Sequence, residues 1–199
     1  MGRGNSGLGR LAGCLVGLLL WVCLGPAFAE EGILVQVGLQ GESVLVDVAF
    51  SVAASRAEVW EVLTDFEHMA AFISNLAVSR VVAREGQTLR VFQRGEARRG
   101  LLHFPFESVR EIQLEAPGRI STHLVSGTPK RLEGVTEITS DGSRTRVSYH
   151  GESVPDRWIP PVVGRGFIAD EVREQFEEMR REILRRHRLA PEGRVAPPG

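Results

Sequence analysis

Cysteine is nearly missing: the 199-residue chain has two, Cys14 and Cys23, both within its first 29 residues. Gly-x-Ser-x-Gly is missing as well, so no thiol or elbow serine stands ready as a nucleophile beyond that segment and no hydrolase is visible. His68, His103, His123, His150 and His187 fall on separate elements without short paired spacing, which leaves no metal signature and gives no reason to expect a cofactor. Gly164-Arg165-Gly166 lacks the further glycine and the βαβ setting of a phosphate loop. Positive charge is not in excess, since 24 Lys and Arg face 25 Asp and Glu, and this disfavours nucleic acid as a partner. No internal repeat or low-complexity tract appears.

One long apolar run is present, Leu11 to Leu24, preceded by Arg3 and Arg10 and followed by Pro26-Ala27-Phe28-Ala29. This order reads as a secretory signal cleaved after Ala29. As an uncleaved anchor the run is short of the roughly 20 residues that span a bilayer. Leu11-Ala12-Gly13-Cys14 has the form of a lipoprotein box, but it begins the apolar segment instead of ending it. Cleavage removes both cysteines and two arginines, so the expected product is an exported, periplasmic chain without disulfides, with 22 basic against 25 acidic residues. The 170 residues left from 199 less 29 suffice for an apolar core, at about 70% burial of the unfolded surface.

From Ile33 to Val52 the pattern is strand-like, with Val44, Val46, Val48, Phe50 and Val52 on one face and a turn at Gln40-Gly41. Ser55-Arg56-Ala57-Glu58 is a capping box, and Val59, Val62, Leu63 and Phe66 follow at helical spacing. A second short helix is expected to carry Met69, Phe72, Ile73 and Leu76. Strand-like runs then cover Val78 to Arg84, Leu89 to Arg94, Phe104 to Leu114, Ile120 to Val125, Leu132 to Ile138 and Thr145 to Tyr149. Connections such as Glu85-Gly86, Pro117-Gly118 and Asp141-Gly142 leave no room for crossover helices, so the sheet must be antiparallel. A closing helix of about twenty residues carries Ile168, Val172, Phe176, Met179 and Ile183 on one stripe, with Glu177/Arg181 and Glu182/Arg186 expected on its solvent side. Arg185, Arg186, His187 and Arg188 suit the negative end of its dipole, and residues 190–199 read as a disordered tail.

One strand, two small helices, six strands and a long closing helix is the order of the α+β helix-grip fold, here with about seven strands curved around the last helix. Val59-Trp60-Glu61-Val62-Leu63-Thr64-Asp65-Phe66-Glu67-His68-Met69, with Phe72-Ile73 and Ser79-Arg80-Val81-Val82, resembles the polyketide cyclase/dehydrase and coenzyme Q-binding START-domain family over residues 44–187. The chain departs from the family at Phe66, often Tyr there, and at Ala70 and Ser74, often Pro. The resemblance implies a domain over residues 30–189 with an internal cavity for an apolar small molecule such as a quinone, lipid or polyketide. It does not imply one reaction.

Asp65 and Glu67 lie at a helix end, where a cap or surface ion pair competes with acid–base work. Gln93 shares a strand face with Leu89 and Val91, Arg110 with Phe106 and Ile112, and Tyr149 with Thr145 and Val147, so these polar groups would point into the grip. There they would orient a carbonyl or carboxylate on a mostly apolar ligand. The competing reading is a bulge that flips Arg110 toward Glu107 or Glu111. The candidate ligand-binding set is Phe72, Leu89, Val91, Gln93, Phe106, Arg110, Leu124, Tyr149, Trp158, Val172, Phe176 and Met179. Trp158 either plugs the open end of the core or forms, with Ile159, an apolar lip that touches a membrane during ligand transfer. Phe176 and Met179 would line a cavity or fill the core.

The leading expectation is an exported, non-catalytic carrier of a hydrophobic molecule. The alternative is an aromatase/cyclase-type enzyme in which Arg110 or Tyr149 polarises a carbonyl. A third reading is a partner-binding module that uses the Trp158 loop.

Overall fold

The computed structural model describes residues 32–99, 102–156 and 161–190. The signal-like segment, Trp158 and residues 191–199 lie outside them. Eight strands make one antiparallel sheet in the order β1-β2-β8-β7-β6-β5-β4-β3. They are β1 (Leu34–Gln40), β2 (Ser43–Val52), β3 (Leu76–Glu85), β4 (Thr88–Arg99), β5 (Leu102–Glu115), β6 (Arg119–Gly127), β7 (Arg131–Asp141) and β8 (Arg144–Val154). Helix α1 (Arg56–Leu63) and a 3-10 turn (Met69–Ala71) connect β2 to β3 at the opposite edge, and α2 (Pro161–Leu189) closes the described chain.

Two expectations are corrected here. The strand-like stretch from Ile33 is a hairpin of two strands, because Gly41 adopts φ 61° and reverses the chain. The sheet therefore has eight strands, and the helical pair follows the second. The anticipated second helix shrinks to three residues. Its amide ladder is broken when the Ser74 N–H turns to the Glu178 carboxylate, 2.9 Å away, and Leu76 opens β3.

Alternation in β2 buries Val44, Val46, Val48, Phe50 and Val52 as the pattern requires. The capping box forms in full: Glu58 N–H donates to Ser55 Oγ (3.3 Å) and Ser55 N–H to Glu58 Oε2 (2.7 Å). One core joins α1 (Val59, Val62, Leu63), the inner sheet face (Leu89, Val91, Ile112, Ile138, Val147) and α2 (Phe176, Ile183).

Helix α2 has 29 residues and starts at Pro161, whose missing N–H costs nothing in a first turn. It packs along two sides, which overturns the solvent placement of Glu182/Arg186. Glu182 is buried; Arg185 Nε (2.6 Å) and Arg186 Nε (2.7 Å) donate to it. Arg186 also reaches Asp65 Oδ2 at 2.8 Å. Further along the same side, Asn75 Nδ2 donates to Glu171 (3.2 Å) and Gln175 Nε2 to Asn75 Oδ1 (3.0 Å). Polar tethers to residues 65–75 thus hold one side of the helix, while its apolar stripe faces the sheet.

Candidate functional site

Sheet and helix do not meet everywhere. A cavity of about 500 Å³ lies between them, within the roughly 300 to 1,000 Å³ of small-molecule sites. Helix α2 contributes Ile168, Val172, Gln175, Phe176 and Met179; the sheet contributes Val44, Val46, Gln93, Phe106, Arg110, Ile112, Ile120 and Tyr149; Leu63, Phe66, Met69 and Ile73 close the α1 end. Glu107, an exposed residue, also lines it and marks where it reaches solvent.

Tyr149 forms much of the floor. Its ring sits 5.6 Å from that of Phe176, which also meets Phe50 edge-on at 6.1 Å. It lies over two bare backbones: Gly151, two residues along β8, and Gly134, its register partner on β7. Glycine inside a strand marks such close approach. The Tyr149 hydroxyl has no hydrogen-bond partner among the described residues.

A buried polar relay runs beside it. Ser79 and Gln93 face each other across β3 and β4. Ser79 Oγ donates to Phe66 O (2.6 Å), which leaves its lone pairs for Gln93 Nε2 at 3.0 Å. Gln93 Nε2 also approaches Met69 Sδ at 3.4 Å. The amide nitrogen is thereby committed, and Oε1 must face Arg110, whose Nη2 donates to it. Arg110 Nε is buried without a partner. Burial pushes the Arg110 guanidinium below its ordinary pKa, and interaction with Tyr149 opposes this; burial pushes the Tyr149 hydroxyl up, against the pull of Arg110.

Of the candidate residues, the cavity gathers Gln93, Phe106, Arg110, Tyr149, Val172, Phe176 and Met179. It does not include Leu89 and Val91, which are 1% and 0% exposed within solid core. Phe72 packs under the Arg186 guanidinium, 5.7 Å from its ring centroid. Leu124 stands opposite Arg110 in register but outside the lining. A register irregularity does fall between Val109 and Arg110, yet Arg110 turns to Gln93 while Glu111 faces Arg90 at 3.5 Å. Asp65 is tied to His68 (2.7 Å) and Arg186, and Glu67 accepts the Val81 N–H at 3.0 Å.

Sequence reasoning did not single out Ser79 or Met69 as partners of Gln93, the Phe66 carbonyl as acceptor for Ser79, or the Gly134–Gly151 pair. The glycines carried a readable signal, being interior to strands. The relay had none, because it depends on cross-strand register.

A family model described as polyketide cyclase / dehydrase and lipid transport matches residues 52–180. No curated protein sequence matches the chain significantly. Among solved structures, the chain is similar to a STAR-related lipid transfer protein from Xanthomonas axonopodis at 16% identity and TM-score 0.66, over 79% of this chain and 97% of that one. It is similar to the Zhui aromatase/cyclase from Streptomyces sp. R1128 at 17% identity and TM-score 0.62, over 75% and 98%. Human StAR-related lipid transfer protein 5 aligns at 11% identity and TM-score 0.62, over 79% and 84%. These likenesses share the fold: an open antiparallel sheet with a long C-terminal helix, the START-like helix grip. The matched span fixes membership, and the chain belongs to the polyketide cyclase / dehydrase and lipid transport family.

Proposed function

We infer that the mature chain is an exported carrier that encloses a lipid, isoprenoid quinone or similar hydrophobic molecule between sheet and α2 without covalent chemistry. The observation that carries this is the cavity: about 500 Å³, walled largely by apolar side chains of α2 and the sheet, with Gln93, Arg110 and Tyr149 among its polar lining. Burial of the ligand's apolar surface supplies the affinity, at roughly 25 cal/mol per Å² before ordering costs. The polar groups set orientation. Two solved relatives are lipid transfer proteins by name. The signal-like segment ending at Ala29 accounts for export to the periplasm, and the Trp158-Ile159 stretch would make transient contact with a membrane during transfer.

The test is native mass spectrometry with lipid extraction on protein secreted by an exporting host. The reading expects an N-terminus at Glu30 and a bound apolar species. A protein that is always empty and takes up neither quinones nor lipids overturns it.

The likeness to an aromatase/cyclase favours a second reading, in which the cavity folds a polyketide-like chain and Arg110 or Tyr149 polarises a carbonyl. Turnover of such a chain, lost in Arg110→Met, would select it over the carrier.

A further inference from the structure

Arg110 is a half-buried cation that lines the cavity, and among the described residues it has no counterion. A guanidinium stays charged in proteins, and a buried charge is tolerated when it is paired. Glu182 with Arg185 and Arg186, and Asp65 with Arg186 and His68, follow that rule, whereas Arg144, whose Nε is likewise orphaned, donates to the neutral Ser51 carbonyl at 3.1 Å and lies outside the cavity. Among the described residues Arg110 has only the neutral Gln93 amide as acceptor, and its Nε is orphaned. Among the described residues, the one group that acts electrostatically on it is Tyr149, a phenol that donates a hydrogen bond when neutral. Two carboxylates line the same cavity, but Glu107 is exposed and Glu152 is taken by Ser43 (2.7 Å) and Arg131. Neither forms an ion pair with Arg110.

The missing partner has a defined chemistry. We propose that the ligand is an amphiphile ending in an oxyanion, a carboxylate or a phosphate ester, which meets the Arg110 guanidinium with the Tyr149 hydroxyl donating beside it and its apolar chain along α2. The relay from Phe66 through Ser79 and Gln93 holds the guanidinium in place for that headgroup. This rests on the carrier reading and narrows its ligand class.

The experiment compares hexadecanoate, hexadecyl phosphate and hexadecanol, chains of one length, as competitors for an apolar naphthylamine dye on the mature protein and on Arg110→Met. The expected result is that one or both anions bind roughly tenfold to a hundredfold more tightly than the alcohol, the equivalent of one charge-assisted hydrogen bond. Preference for hexadecanoate identifies a carboxylate and preference for the phosphate an ester; Arg110→Met abolishes either preference. Equal or tighter binding of hexadecanol by the unaltered protein overturns the anion assignment and leaves the carrier reading standing. An anion preference that survives in Arg110→Met also overturns it. If neither the dye nor any of the three chains binds, the carrier reading fails and this inference with it.

Discussion

The hydroxyl of Tyr149 occupies the space that a side chain at residue 151 would need. A β-carbon built on Gly151 falls 2.2 Å from Tyr149 Oη and 2.6 Å from Cζ, whereas one on Gly134 falls 3.0 Å from Cε2 and 3.1 Å from Oη. The ring lies flat on the sheet because both neighbours lack side chains, and its hydroxyl is left free to face the cavity.

Gly151→Ala is therefore expected to displace the ring, at a cost of about 1–3 kcal/mol for the overpacking, and to weaken ligand uptake. Gly134→Ala should cost less. Urea unfolding of both variants in wild-type and Tyr149→Ala backgrounds checks this, since the Gly151→Ala penalty should largely vanish once the ring is gone.

Gln93→Leu removes the one acceptor that Arg110 has among the described residues and is expected to destabilise the fold by about 1–3 kcal/mol, the usual consequence of stranding a buried donor. Adding Arg110→Met should recover stability, because replacing a buried charge with an apolar side chain of similar length is often neutral or favourable. A denaturant double-mutant cycle in which the double variant is less stable than Gln93→Leu would contradict the arrangement.

Hydrogen bonds from Arg185, with those from Arg186, hold Glu182 down from an ordinary 4.5 to about 2. A carboxylate depressed in the folded state adds stability that is fully present above its unfolded pKa and is lost as pH falls through its folded one. The stability deficit of Glu182→Gln relative to wild type should therefore be constant above about pH 4.5 and shrink toward pH 2. Denaturant melts across that window measure it, and a deficit that grew on acidification would refute the pairing.

Ile183 is fully buried, and Ile183→Ala should cost about 2–5 kcal/mol. Met179 lines the cavity, so Met179→Leu has room to adjust and should cost under about 1.5 kcal/mol while altering ligand uptake. Thermal melts paired with dye binding separate the two effects.

Much of the fold was legible because it rests on local periodicity. Alternation at Val44, Val46, Val48 and Phe50 marked an inner face that is buried, and Ser55 with Glu58 marked a helix start that forms. The β1 hairpin was harder to count: Val35, Val37 and Leu39 alternate and Gln40-Gly41 marks a turn, but spacing alone does not show the stretch before that turn pairing back on β2 as a strand of its own. Helix α2 outran its expected length because it opens at Pro161, seven residues before Ile168, through Gly164 and Gly166, residues that argue against helix in sequence. Glu182 looked like a surface charge because sequence spacing does not show that residues 65–75 cover that side of the helix. Candidate polar groups could be placed on faces by parity, but the link from Ser79 to Gln93 requires the register of β3 against β4, which shifts between Leu76 and Val78. Leu89 and Val91 show the limit of parity: they share a face with Gln93 yet sit where core, not cavity, covers the sheet.

The central claim is that the hollow under α2 takes an apolar ligand. Methyl NMR of the mature protein titrated with hexadecanol and with a short-tailed ubiquinone tests it most directly. A ligand in the hollow shifts Ile112, Ile120, Ile168, Val172 and Met179, which line the cavity, and leaves Val59, Ile138 and Val147 in the packed core little changed. Titrations that move none of the lining methyls, or that move only residues on the outer face of the sheet, would contradict it.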